Sequence, residues 1–159
     1  MSKIEAVLFD LDGTLLDSFP DFLASLENIN INSSSKKIDE SIVRANVSDG
    51  SSKLLKLVFD IDADDEGFDE HKRNFLNEYE KNILMYGNLF HGVSDLLNFL
   101  LDKKIPYGIV TNKPRKYTEI ILKKSSLLRQ SKVVICCDDG LKSKPNPEGI
   151  NHACNILGV

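Results

Sequence analysis

Two carboxylates, Asp10 and Asp12, stand at positions i and i+2 just where a nearly continuous apolar run from Ile4 to Phe9, broken by Glu5, stops. A run of that kind suits a strand buried on both faces, and side chains two apart in an extended chain share a face. The pair therefore emerges at the carboxyl edge of a sheet, where open α/β sheets bind ligands. Gly13 permits the tight turn that must come next. An isolated Asp-x-Asp describes a solvated turn equally well. Preceded by a buried strand and continued by Gly13-Thr14-Leu15-Leu16-Asp17-Ser18, it describes carboxylates presented for ligand chemistry.

The elements needed to position such a pair are legible farther along the chain. Tyr107 to Thr111 and Val133 to Cys137 form two more strand-like runs, and a helix is expected between them from Arg115 to Lys124. Ahead of the second run, Val93, Leu96, Leu97, Leu100 and Leu101 recur at helical spacing before Pro106. Strand, helix, strand, helix, strand in this order implies a parallel sheet with right-handed crossovers. Asn146-Pro147-Glu148 opens a last helix that Gly158 closes. From Asp17 to Asn88 the texture changes: amphipathic segments are separated by Ser33-Ser34-Ser35, Ser48-Asp49-Gly50-Ser51 and Asp62-Ala63-Asp64-Asp65, with no strand-like run. The expected fold is α/β, a Rossmann-like parallel sheet core (1–16 and 89–159) with an inserted α-helical cap (17–88).

Three short motifs succeed the three strands in order: Asp10-Leu11-Asp12-Gly13-Thr14, then Thr111-Asn112, then Lys144-Pro145-Asn146-Pro147. In that order they resemble the capped phosphatases of the haloacid-dehalogenase superfamily. The resemblance implies Asp10 as nucleophile, Asp12 as acid/base, Thr111, Asn112 and Lys144 as phosphate-binding residues, and a Mg2+ ion held by Asp10 and Asp12. Cap placement is similar to the phosphoglycolate phosphatase branch. Within it, Gly108 to Pro114 and Ser143 to Glu148 look closest to N-acetylmuramic acid 6-phosphate phosphatases. Val47-Ser48-Asp49-Gly50 departs from the Val-Gly-Asn-Gly of phosphoglycolate phosphatases, so Ser48, Asp49 and Gly50 are candidate substrate residues of the cap.

Elementary chemistry agrees with these roles. A carboxylate that attacks phosphorus forms an aspartyl phosphate and splits one difficult hydrolysis into two easier displacements. A second carboxyl group can protonate the leaving alkoxide and later accept a proton from water. The superfamily's dehalogenases generally lack the second aspartate, so Asp12 favours phosphoryl transfer. Bringing a phosphate dianion to Asp10 is repulsive by roughly 4 kcal/mol per unit-charge pair at 4 Å and an effective dielectric of 20. A lysine and a hard divalent cation are the two ways to offset it.

Acidic residues after a fourth strand, which would complete the family's metal site, are not reached before Val159. A fragment or truncated product is therefore the expectation, one that by itself could be inactive. Asp138 and Asp139 do not substitute for them. They lie beyond a third strand two positions from the first, about 10 Å away at about 4.8 Å per strand, a gap the longer Lys144 bridges more easily. Asp60-Ile61-Asp62-Ala63-Asp64 repeats the Asp-x-Asp spacing without the strand or the Gly-Thr turn, and as a calcium loop it has Asp65 where glycine is needed. It reads as a solvated acidic loop.

Twenty basic and twenty-four acidic side chains give a net charge of −4 with no Lys/Arg run, which argues against nucleic acid as a partner. Apolar runs are too short for a signal-peptide core or a membrane span, so no membrane partner and a cytoplasmic location are expected. The resemblance implies a small phosphorylated metabolite as the partner. Three cysteines, two of them adjacent in a strand-like run, read as small buried apolar residues. Two alternatives remain open: a sugar phosphomutase with the same core, and a non-catalytic phosphometabolite-binding protein.

Overall fold

The computed structural model describes residues 4–31, 38–47 and 50–159. In chain order the elements are β1 (Val7–Phe9), β2 (Leu16–Asp17), α1 (Phe19–Ile31), α2 (Glu40–Asn46), α3 (Ser51–Phe59) and α4 (Phe68–Asn82). After them come β3 (Asn88–Leu89), α5 (Val93–Asp102), β4 (Tyr107–Val110), α6 (Arg115–Lys124), β5 (Val133–Ile135) and α7 (Glu148–Leu157). The chain divides into two compact units, 1–16 with 89–159 and 17–88. The two short strands β2 and β3 pair with each other where the chain leaves and re-enters the first unit. Two-residue strands are too short to leave a periodic trace, so none was expected beside the helical stretch.

The first unit is built on a parallel sheet in the order β1-β4-β5. Val7, Leu8 and Phe9 register with Tyr107, Gly108 and Ile109, and Gly108, Ile109 and Val110 with Val133, Val134 and Ile135. Central β4 is buried throughout, which its uninterrupted run of apolar and small residues allows. Gly108 is required there, because a Cβ would lie 2.4 Å from Val133 Cγ1 and 2.9 Å from Leu8 Cδ2. Val110, Val133, Ile135 and Ala153 form a buried cluster, with Leu8, Leu141 and Leu157 packed against it.

Both outer strands are shorter than their apolar runs. Val7 N–H donates to Pro106 O at 3.0 Å, while Pro106 has no N–H to return and Ile105 N–H is turned back to Leu100 O. Pairing therefore starts at Val7 and leaves Ile4 62% exposed. At the far side, Cys136 N–H leaves the ladder for Asp139 Oδ2 at 2.7 Å, ending β5 at Ile135. On α5, Val93, Leu97 and Leu100 form the buried stripe, whereas Leu96 is 43% exposed. The spacing i, i+4, i+7 selects one face, and Leu96 sits off it.

The second unit packs α1 against α4 around Phe22, Phe75 and Tyr79, with Phe22 and Tyr79 stacked at 4.2 Å between centroids. Asp21, 1% exposed, accepts main-chain N–H groups from Leu84, Tyr86 and Gly87 and so ties down the chain leaving α4. The acidic stretch after α3 is a solvated connection in which Asp60 adopts a left-handed C-cap and Asp62 pairs with Lys56. Gly50, at φ +93°, precedes the first turn of α3. Ser48 and Asp49, the other candidate cap residues, lie outside the described residues, as does the Ser33-Ser34-Ser35 run.

The loop leaving β5 is fastened to the start of α6. Arg115, the first residue of α6, reaches Asp139 Oδ1 through Nε at 3.0 Å and Oδ2 through Nη2, and a further Nη2 bond goes to Val134 O. Its own N–H donates to Asp138 Oδ1 at 2.8 Å. The Arg115 hydrogen bonds hold the Asp139 carboxyl below the usual carboxylate range. Because the folded value is depressed, the stabilisation is present above the ordinary aspartate range and is lost as pH falls through the lowered value. Asp139→Asn is expected to lose about 1–3 kcal/mol in urea denaturation at pH 7, toward the lower end because the pair is partly solvated. The difference from the parent chain should disappear in strong acid.

Candidate active site

Asp10 is the first residue beyond β1. Its Oδ1 accepts Leu11 N–H at 2.7 Å and meets Lys144 Nζ at 2.7 Å. The side chain is 40% exposed, and among the described residues nothing hydrogen-bonds its Oδ2. The turn after it is closed from both directions. Leu11 O accepts the N–H groups of Leu15 and Leu16 at 3.0 and 2.9 Å, and Gly13, at φ +79°, donates to Leu16 O at 2.9 Å. Leu11, Leu15 and Leu16 are almost wholly buried. Alternation then does the rest: Leu11 is driven into the core, so its neighbours Asp10 and Asp12 are turned away from it.

Asp12 meets a partner that no sequence motif singled out. Lys113 Nζ lies 2.9 Å from each carboxylate oxygen of Asp12, with the two side chains 5% and 13% exposed. A charge pair so withdrawn from water is held by its own geometry, because each ion alone would be left uncompensated. The signal for Lys113 was only its place after Thr111-Asn112 at the end of β4, where a lysine is no more distinctive than any polar turn residue.

Thr111 is 4% exposed. Its N–H still pairs with Ile135 O, and its Oγ1 accepts Lys113 N–H at 3.1 Å. The hydroxyl proton has no acceptor among the described residues and is available to an oxygen ligand. Asn112 is exposed and bonded to the main chain of Lys144 in both directions, Nδ2 to Lys144 O at 3.0 Å and Lys144 N to Oδ1 at 2.9 Å. Thus Asp10, Asp12, Lys113, Thr111, Asn112 and Lys144 form one connected cluster drawn from the ends of all three parallel strands. Asp138 and Asp139 are engaged by Arg115 instead. With Cys136 they place ligand atoms within 4.8 Å of one another, but burial pushes the Cys136 thiol up, away from the thiolate a metal needs.

Two carboxylates and two ammonium groups make the cluster formally neutral, so a phosphate dianion would bring two uncompensated charges. Asp10 offers a hard, half-exposed anionic oxygen of the kind Mg2+ takes alongside waters and substrate phosphate. Asp10 therefore supplies one carboxylate of the kind that ion takes. Both Asp12 oxygens are committed to Lys113, which leaves Asp10 the better carboxylate donor of the two.

The haloacid dehalogenase-like hydrolase family model matches residues 7–159, the whole span from β1 to the end of the chain. The chain belongs to this family. It is 33% identical over 157 residues to an N-acetylmuramic acid 6-phosphate phosphatase of Pseudomonas putida, an alignment covering 99% of this chain and 70% of that protein. It is 35% identical over 154 residues to a phosphoglycolate phosphatase of Xanthomonas campestris, covering 97% and 69%. The crystal structure of a predicted phosphoglycolate phosphatase from Haemophilus somnus superposes with a TM-score of 0.85 at 23% identity, over 100% of this chain and 74% of the other. That last likeness shows a shared fold. No helix among the described residues is long and apolar enough to cross a membrane.

The Asp12–Lys113 pair of this hydrolase generates a specific expectation. Lys113→Met strands the Asp12 charge in a largely dry site and should lower stability by about 3–5 kcal/mol. Lys113→Met combined with Asp12→Asn removes both charges and should recover most of the loss. Urea denaturation of the two variants and the parent chain measures this, and a double variant no more stable than Lys113→Met would show that the pair is not coupled.

Proposed function

We propose that the chain is a phosphomonoester hydrolase that transfers the phosphoryl group of a small metabolite to Asp10 and then to water. The observation that carries this reading is the state of Asp10: one oxygen anchored by Leu11 N–H and Lys144 Nζ, the other without a described partner at the ligand-binding edge of a parallel sheet. An anchored carboxylate with an open oxygen is oriented for in-line attack.

In the first step a bond forms between Asp10 Oδ2 and phosphorus while the ester P–O bond breaks. Asp12, protonated from solvent and released from one of its two Lys113 contacts as substrate enters, gives that proton to the leaving alkoxide. In the second, water attacks the phosphorus, Asp12 accepts its proton, the acyl phosphate P–O bond breaks, and inorganic phosphate leaves with Asp10 restored. Lys113 fixes the Asp12 carboxyl group in place through both of its oxygens. Lys144 Nζ and the Thr111 hydroxyl receive the phosphate oxygens, supplying charge and a directed donor. Mg2+, held by Asp10, would supply the remaining positive charge against the dianion.

Substrates of the phosphoglycolate or N-acetylmuramic acid 6-phosphate type are supported by the names of the relatives, each aligned over about 70% of its own length. Asp10→Asn should abolish phosphate release from such esters, since a carboxamide is a poor nucleophile. Asp12→Asn should retain phosphate binding and lose about 10²–10⁴-fold in turnover. Chelation should silence the parent chain and Mg2+ restore it. A phosphate-release assay on the three proteins reads the turnover and its dependence on Mg2+, a phosphate titration reads the binding, and near-normal release by Asp10→Asn would contradict the mechanism.

A further inference from the structure

The loop between β5 and α7 carries Lys144 to Asp10 and has little regular structure of its own. Asn146 N–H closes a turn on Ser143 O, and Glu148 N–H is taken by Asn146 Oδ1. Pro145 and Pro147 contribute no N–H. Both main-chain polar groups of Lys144 go to a single side chain on another loop, the Asn112 carboxamide, at 3.0 and 2.9 Å. Among ordinary side chains only a carboxamide offers a donor and an acceptor side by side in one plane, the pattern of a peptide unit. The contact joins the turn after β4 to the loop between β5 and α7.

We propose that Asn112 is a positioning residue for Lys144, acting on the phosphate site through the lysine's main chain rather than through a contact of its own carboxamide with phosphate. A lysine ammonium sits on a flexible four-carbon stem, so its reach to Asp10 Oδ1 at 2.7 Å depends on where its Cα is held. Asn112 sets that anchor. The second strut, Arg115 on Asp139, holds the same loop nearer its start. The effect on phosphate rests on the phosphomonoester reading; the clamp itself does not.

A double-mutant cycle on the full chain tests the inference, with inorganic phosphate in the presence of Mg2+ as the titrated probe. Asn112→Ala should weaken phosphate about tenfold when Lys144 is present and by less than about twofold in a Lys144→Met background, the non-additivity of residues that act as one unit. In parallel, hydrogen exchange monitored by NMR should show the Lys144 amide exposed in Asn112→Ala while the Asn146 amide keeps its protection. Equal weakening in both backgrounds would make Asn112 a direct ligand and overturn the proposal, as would an unchanged Lys144 amide. If the parent chain binds no phosphate, the phosphomonoester reading falls, and the amide exchange alone decides the clamp.

Discussion

Gathering two carboxylates at the end of one strand and then admitting a dianion to them is the electrostatic problem on which the rest of this site depends. At an effective dielectric of 20, each like-charge pair 4 Å apart is unfavourable by roughly 4 kcal/mol. The fold answers by bringing cations from elsewhere in the sequence: Lys113 from the end of β4 onto Asp12, and Lys144 from the loop after β5 onto Asp10. A parallel sheet makes this possible, because every strand ends at the same edge. Neither lysine lies within a hundred residues of its carboxylate in the chain, so the pairing is wholly a product of topology.

The two pairs are built differently, and the difference matches their assigned tasks. Lys113 and Asp12 are nearly dry and joined through both carboxylate oxygens, an arrangement that fixes one geometry. Lys144 and Asp10 are partly solvated, at 25% and 40% exposure, and leave one Asp10 oxygen open. A group that must attack has to be reachable. One that only hands over protons can be held more firmly, provided it lies beside the reacting oxygen.

Much of this was legible in advance because strand ends are easy to recognise. The continuous apolar run of β4, the Arg115–Lys124 helix and the Pro147/Gly158 boundaries of α7 carry strong local signals, and motif order after successive strands pointed to the family that the match over residues 7–159 establishes. The features that escaped depend on partners distant in sequence. Lys113 looked like any strand-end lysine because its role exists only when Asp12 is folded beside it. Asn112 was expected on phosphate, whereas its carboxamide is found on the Lys144 main chain. Leu96 belonged to a helical period but not to the stripe that meets the core. The lengths of β1 and β5 were set by Pro106 on one side and the Asp139 carboxylate on the other, neither of which an apolar run records.

The most direct test of the account is to catch the phosphoryl group on the protein. Acid quenching of the chain during turnover of a phosphorylated substrate with Mg2+, and then peptide mass spectrometry, should find phosphate on the peptide containing Asp10 and localise it to that residue. The adduct should be missing in Asp10→Asn. Phosphate release with no adduct in any variant, or an adduct on another side chain, would contradict Asp10 as the nucleophile and with it the reading of the whole cluster.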